Sequence, residues 1–294
     1  MVRETTWGSR VVDGALVVLL AGAALLCVLP IWYTLAVSLS DNAAASAGEV
    51  RLWPVGFNLG SYKEIMGDTK FFGSFWISVQ RVVLGAGLNL IVTVLMAYPL
   101  SKTTKDFPLR NVFMWTLVFT MLFNGGLIPW YQTVKSLGLI NSIWGLVLGN
   151  SVPMFNVILV VNYFRNLPKE LEEAALVDGA GPWYMLWKVF VPLAVPVLAT
   201  VTLFSIVYHW NEFFNGLVLM SKAEHYPLQT YIQQLVVIID ATTMNEDQIK
   251  RMSELSNQTL NAAKIFIAMI PVLIVYPFLQ RFFIHGITLG SVKE

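Results

Sequence analysis

Charge is scarce in this chain of 294 residues: Asp, Glu, Lys and Arg make up 13% of it, against 56% hydrophobic residues. A water-facing domain carries roughly 25% charged residues, so a solvated surface is excluded for most of the chain. The net charge of +1 excludes the strong positive field that nucleic-acid binding demands. The single cysteine, Cys27, excludes an intrachain disulfide. It follows Leu26, where a lipid-attachment motif would need a small residue, and its apolar run suggests a buried, inert thiol. The three histidines, His209, His225 and His285, are scattered, and no H-E-x-x-H or cysteine cluster offers a metal site. There is no G-x-x-x-x-G-K-[ST], so no phosphate-cradling loop for ATP.

What is present is long apolar blocks, and the mean hydropathy is +0.64. Strands of an outer-membrane barrel would show only about ten alternating residues each. Crossing about 30 Å of hydrocarbon as a helix takes roughly 20 residues. Six stretches qualify, at 14–40, 75–101, 111–134, 141–164, 189–213 and 262–283. The first is too long for a signal-peptide core and reads as a retained span. The fold class expected is therefore an all-α membrane protein with six transmembrane helices, forming one domain over residues 1–294. Tyr226–Ile239 is too short to span and is expected outside the bilayer or re-entrant at its edge.

Six spans place both termini on one side. Lys and Arg are denser in the segments on that side, which include Lys102, Lys105, Arg110, Arg165, Lys169 and Lys188. The positive-inside rule then puts the N and C termini in the cytoplasm. Two loops on the other side are long, about 41–70 and 215–264, the second with a polar helix-like stretch at Asn245–Asn261. Loops this long usually serve a purpose, and docking of an external partner is a reasonable one.

The connection between the fourth and fifth spans, residues 166–188, carries the most information. Pro168 suits a helix start, and Glu170, Glu172 and Glu173 complement the dipole of its first turns. Gly179, Gly181 and Pro182 force a turn. Trp183–Lys188 reads as a second short helix, and Pro192 and Pro196 mark entry into the fifth span. The result is a helix–turn–helix that should expose Leu171, Ala174, Ala175, Val177 and Ala180. An unpartnered apolar surface is a liability, so a groove on another protein is the natural acceptor.

This segment resembles the E-A-A loop of binding-protein-dependent ABC permeases. Glu173-Ala174-Ala175 is followed after three residues by Gly179, and nine residues later by Val189-Phe190-Val191-Pro192; Asp178-Gly179-Ala180 fits the family's D-G-A. Val189 and Val191 stand where the family usually has Ile and Leu. The resemblance implies a type I importer permease whose loop is a cytoplasmic coupling helix seated on an ATPase. Glu173 and Asp178 would make polar contacts there, Ala174, Ala175 and Ala180 would permit close approach, and Gly179 would supply the turn.

Other segments narrow the resemblance. Gly286–Glu294 is similar to the C-terminal tail of MalG-type carbohydrate permeases, and Trp210-Asn211 to their W-N motif. Phe123–Tyr131, Leu137–Asn141 and Tyr276–Arg281 are similar to the LplC-like subgroup, associated with complex oligosaccharides that include uronic-acid polymers such as pectin fragments or alginate. The implied partners are a second homologous permease, two ABC ATPase subunits, an extracytoplasmic solute-binding protein, an oligosaccharide and membrane lipid, with no nucleic acid. The implied location is the bacterial inner membrane, multi-pass. The chain itself would be non-catalytic and bind no cofactor, with ATP and Mg held by the ATPases.

A sugar pathway wants aromatic faces and amides together. Candidates are Asn124, Trp130, Tyr131, Asn156, Tyr208, Trp210 and Asn211, with Gly125-Gly126 a helix break of the kind tolerated only where backbone is buried or lines a cavity. The same aromatics also suit an interfacial belt, and the same asparagines suit helix–helix hydrogen bonds. Arg81, the one charge well inside a span, has three readings: meeting an acidic sugar, snorkelling outward, or pairing with a neighbouring subunit.

Three alternatives remain. An ABC importer for a non-carbohydrate solute is opposed only by the tail, the W-N and the F-N-G-G-L-I-P segments. An ion-coupled secondary transporter should carry ionisable groups at mid-membrane, and apart from Arg81 the spans lack them. A membrane-embedded transferase would need clustered acids, a nucleophile or a metal site.

Overall fold

The structure, a computed structural model, describes residues 7–236 and 257–291. Every regular element among the described residues is helical. In chain order these are α1 (Trp7–Ser38), α2 (Asn42–Ser46), α3 (Gly60–Gly67), α4 (Thr69–Ser101), α5 (Arg110–Leu122), α6 (Leu127–Ser136), α7 (Ile143–Leu148), α8 (Met154–Arg165) and α9 (Lys169–Val177). There follow α10 (Pro182–Leu193), α11 (Val195–Asn211), α12 (Phe214–Leu219), α13 (Leu228–Val236) and α14 (Gln258–Ser291).

Among the described residues three helices are long and apolar enough to cross a membrane, and two bent pairs, α5 with α6 and α10 with α11, could each supply a further crossing. Of the six spans expected from hydropathy, the third breaks at the expected Gly125-Gly126, and the fourth and fifth are corrected. The third, 111–134, breaks between α5 and α6 with a bend of 113°. Gly126 sits at φ +88, and its N–H is taken by Asn124 Oδ1 at 2.8 Å, so the chain leaves the helix in a side-chain-capped turn. The fourth, 141–164, is divided into α7 and α8. Pro153 has no N–H to continue a helix, and α8, with 12 residues, is about 18 Å long at 1.5 Å per residue. The fifth straight helix begins at Val195 rather than at residue 189, because the chain bends by 82° between Leu193 and Val195. Pro192 cannot donate to the Lys188 carbonyl and crowds it. The turns at Met185–Phe190 widen to π geometry just upstream, a common response to a disrupted ladder.

The chain divides into two compact units. One comprises residues 1–69 and 234–269. Its longest helix, α1, is apolar from Gly14 onward and unburied over its most hydrophobic window, as a lipid-facing helix is. Cys27 is accordingly exposed on α1 rather than buried. The following loop is tied back by Asp41 N to Val55 O at 2.9 Å and Asn58 N to Leu39 O at 2.9 Å. Within this unit Lys264 Nζ pairs with Asp68 Oδ2 at 2.7 Å, and Ser61 donates to Thr259 at 3.0 Å.

The other unit comprises residues 70–233 and 270–294. Its core joins Val94, Ala97 and Leu100 of α4 to Val157, Val160, Val161 and Phe164 of α8 and to Met185, Leu186 and Phe190 of α10. α4 also buries a polar stripe at helical spacing: Ser74, Ser78, Arg81, Asn89 and Thr93. α13 lies in the stretch expected to be too short to span; its last three residues, 237–239, are outside the described residues, as are most of Asn245–Asn261 and both chain termini.

Candidate functional site

The segment at 166–188 is built as a short helix with a defined stop. Glu170 and Glu172 lie in the first turn of α9, where acids favour the helix dipole. At its end Gly179 N donates to Leu176 O at 3.0 Å and Ala180 N to Ala175 O at 2.9 Å, with Gly179 at φ +78. That pair of bonds is a Schellman motif, which needs a left-handed residue where glycine stands. The turn therefore follows from Gly179 alone.

The outward face of this segment carries Glu173, Ala174, Asp178 and Gly179, with Val177 88% exposed. The expected apolar face is corrected at two residues: Ala175 and Ala180 are half-buried and pack toward the Phe164–Phe190 core. Their small side chains let α9 lie close to α10. In their place Leu176, Trp183, Tyr184 and Trp187 are exposed. The sequence signal for the last three was the aromatic spacing at 183, 184 and 187, in the stretch read only as a second short helix. Asn166 and Pro168 enter the helix, and Arg165 Nη2 donates to Leu100 O at 3.0 Å.

Behind this surface, Lys102 at the end of α4 forms an ion pair with Glu172 of α9. Its ammonium also lies 4.5 Å from the centre of the Tyr98 ring and 4.7 Å from that of Phe190.

A second feature is a cavity of about 950 Å³ whose lining includes Asn89, Thr120, Asn124, Asn150, Ser151, Phe155, Asn156, Phe204, Ser205 and Tyr208. No charged residue lines it. A neighbouring recess of about 630 Å³ is lined by Asn124, Gly125, Gly126 and Trp130, so Asn124 serves both. Of the expected pathway residues these cavities gather Asn124, Gly125, Gly126, Trp130, Asn156 and Tyr208. They do not take in the others. Tyr131 is half-buried against Val134, Leu146, Leu219 and Met220. Trp210 is buried edge-on to Phe75, 5.6 Å between ring centres. Asn211 is exposed and turns its amide back to Val207 O at 3.0 Å.

Asn156 holds two helices together as well as reaching the cavity: its Nδ2 donates to Val201 O and to Ser205 Oγ, both at 3.2 Å. Asn89, overlooked in the sequence, belongs to the polar stripe of α4. With its amide oriented to satisfy both ends, Nδ2 donates to the carbonyls of Asn150 at 2.8 Å and Ser151 at 3.2 Å. Its Oδ1 then faces Ser205 and His209.

Arg81 is fully buried and pairs within the chain, with the Glu212 carboxylate and, at 2.7 Å, with the Glu212 carbonyl. It neither snorkels nor lines the cavities. Glu212 lies one residue past α11, so the apparent lone charge of the second span had a partner 131 positions away. Glu212 Oε1 also accepts from Asn215 N at 2.7 Å. One turn along α4, Gly85 lets the His209 ring lie against the backbone; any Cβ there would collide with it. Among the described residues no three His, Cys, Asp or Glu side chains converge as a metal site.

Residues 71–289 match the model of a family described as binding-protein-dependent transport system inner membrane component. The chain is 37% identical over 290 residues to protein LplC of Bacillus subtilis strain 168, covering 99% of this chain and 97% of that one. It is 36% identical over 270 residues to the polygalacturonan/rhamnogalacturonan transport system permease protein YtcP of the same organism, covering 92% and 94%. Its fold is similar, at a TM-score of 0.83 and 36% identity, to a chain in the crystal structure of a bacterial ABC transporter involved in import of the acidic polysaccharide alginate, covering 95% of this chain and 98% of that one.

Proposed function

From the premise that the chain belongs to the binding-protein-dependent transport system inner membrane component family, we propose that it lines half of a pathway for oligosaccharides and that residues 166–188 couple that pathway to an ATPase. As a member it is a non-catalytic permease subunit of an ABC importer, in the bacterial inner membrane. The ATPases are separate chains, and they hold the nucleotide and Mg. The other half of the pathway belongs to a second, homologous permease, and an extracytoplasmic binding protein delivers the solute. α9 faces the cytoplasm, and both termini lie on that side.

The observation that carries the coupling role is the exposed, glycine-stopped helix α9. It offers Glu173, Ala174, Asp178 and a nearly fully exposed Val177 with no partner within the described chain. Apolar surface in that state is stable only against another protein. The oligosaccharide reading is supported by the cavity, whose amides and hydroxyls suit sugar hydroxyls and whose Tyr208, Phe155 and Phe204 suit ring faces. The names of the relatives point to polygalacturonan, rhamnogalacturonan and the acidic polysaccharide alginate, so oligouronates are the first substrates to try.

The test is uptake into proteoliposomes holding the assembled importer and its binding protein. ATP-dependent accumulation of oligogalacturonate or oligoalginate is expected, with Glu173→Lys abolishing both uptake and co-purification of the ATPases. Unaltered uptake and co-purification in Glu173→Lys would defeat the coupling role; uptake that ignores ATP would defeat the whole reading.

A further inference from the structure

We propose that Lys102 is a positioning residue that transmits the movement of the coupling helix directly to the second span. The inference rests on the reading of residues 166–188 as the ATPase-coupling segment. By its backbone, α9 is joined to α8 through Asn166–Pro168 and to α10 through Asp178–Gly181. α4 ends about 70 residues earlier, and it carries the polar stripe that reaches the cavity through Asn89. The chain therefore gives α4 no covalent reason to follow α9. The Lys102–Glu172 ion pair supplies a non-covalent link instead.

The pair is built to be stiff. The Lys102 side chain is 15% exposed, and its ammonium is held against two ring faces, Tyr98 of α4 itself and Phe190 of α10. Tyr98 and Phe190 meet edge to face at 5.2 Å, and Phe190 meets Phe164 of α8 in the same way at 5.2 Å. The last turn of α4 is pinned from two other helices: the Leu100 carbonyl accepts from Arg110 Nε at 2.9 Å and from Arg165 Nη2 at 3.0 Å. Four elements thus converge where α4 ends. Among the described residues, Glu172 is the charged side chain of α9 that forms an ion pair in that junction. A pull on α9 reaches α4 through that carboxylate as well as through the apolar core that Ala175 joins, whereas α8 and α10 also follow through the backbone.

The test compares solute imported per ATP hydrolysed in the assembled importer in proteoliposomes. Lys102→Met and Glu172→Gln are each expected to lower that ratio about two- to fivefold, the worth of a partly exposed ion pair of this kind. The exchange Lys102→Glu with Glu172→Lys should recover much of it, and Lys102→Arg, which keeps both the charge and the stacking, should hold it near wild type. If Lys102→Met fails to assemble, Glu172→Gln carries the test, since that carboxylate lies on the half-exposed loop helix. A ratio unchanged in Glu172→Gln, or lowered but not recovered by the exchange, overturns the strut. A Val177→Cys cross-link to the ATPase, formed in otherwise wild-type complex, reports separately on docking. Its absence would remove the coupling reading and the strut together.

Discussion

The Arg81–Glu212 pair offers the sharpest test of how the membrane part of this chain is held. Arg81 is fully buried and the Glu212 side chain is 13% exposed, so removing one partner leaves the other charge nearly dry. For buried pairs that loss is about 3–5 kcal/mol, while replacing both partners with apolar or neutral groups of similar volume is often neutral. Arg81→Met should fall in the lower part of that range. Glu212 keeps one bond, from the Asn215 N–H, although its carbonyl loses the Arg81 donor. Glu212→Gln should fall higher, because the guanidinium then has only an amide and a carbonyl to face. The double variant Arg81→Met with Glu212→Gln should be less destabilised than the sum of the singles by about 2 kcal/mol or more, since no uncompensated charge remains. The assay is SDS-induced unfolding of the purified permease in mixed micelles, followed by tryptophan fluorescence. Additive single effects, or an Arg81→Met variant within about 0.5 kcal/mol of wild type, the range usual for surface changes, would refute a dry intrachain pair. That result would return Arg81 to the solute or to another subunit.

Two further outcomes follow from glycines with specific work. Gly85→Ala drives a methyl into the His209 imidazole, and overpacking of this kind costs about 1–3 kcal/mol; the same unfolding assay should show the loss, with His209→Ala in the same chain relieving part of it. Gly179→Ala forces a left-handed backbone on a residue with a Cβ, at a cost of about 1–2 kcal/mol. Frayed α9 should then retain fewer ATPase subunits on co-purification, with global unfolding little changed because the turn is exposed.

Some of the molecule is legible from composition and spacing because the rules involved are local. The apolar blocks of α1, α4 and α14 must be helical in lipid, where each backbone group has to be satisfied within its own segment. The stop after Val177 follows from Gly179, and the break at Gly125–Gly126 from the flanking Asn124 and Pro129. Other features are decided across long stretches of chain. Hydropathy could not separate α7 from α8, because a broken pair and one continuous span have the same apolar content. Trp210 and Tyr131 look like pathway aromatics in the sequence, yet Phe75 and the Leu146–Leu219 cluster claim them. Asn89 looked like an ordinary polar residue in an apolar helix.

What the sequence determined by itself is the class of the protein and the stop of the 166–188 helix: a charge-poor chain with membrane-length helices, and a short helix ending at a glycine in the left-handed region. Tertiary structure decided which polar side chains are spent inside. Arg81 meets Glu212, His209 meets Gly85, and Asn156 meets Val201 and Ser205, each across more than 40 positions of sequence. The physical reason is that a helix's own period says which residues share a face, while the packing of several helices says which faces are buried. In a low-dielectric interior a charge or amide must find its partner wherever the fold brings one.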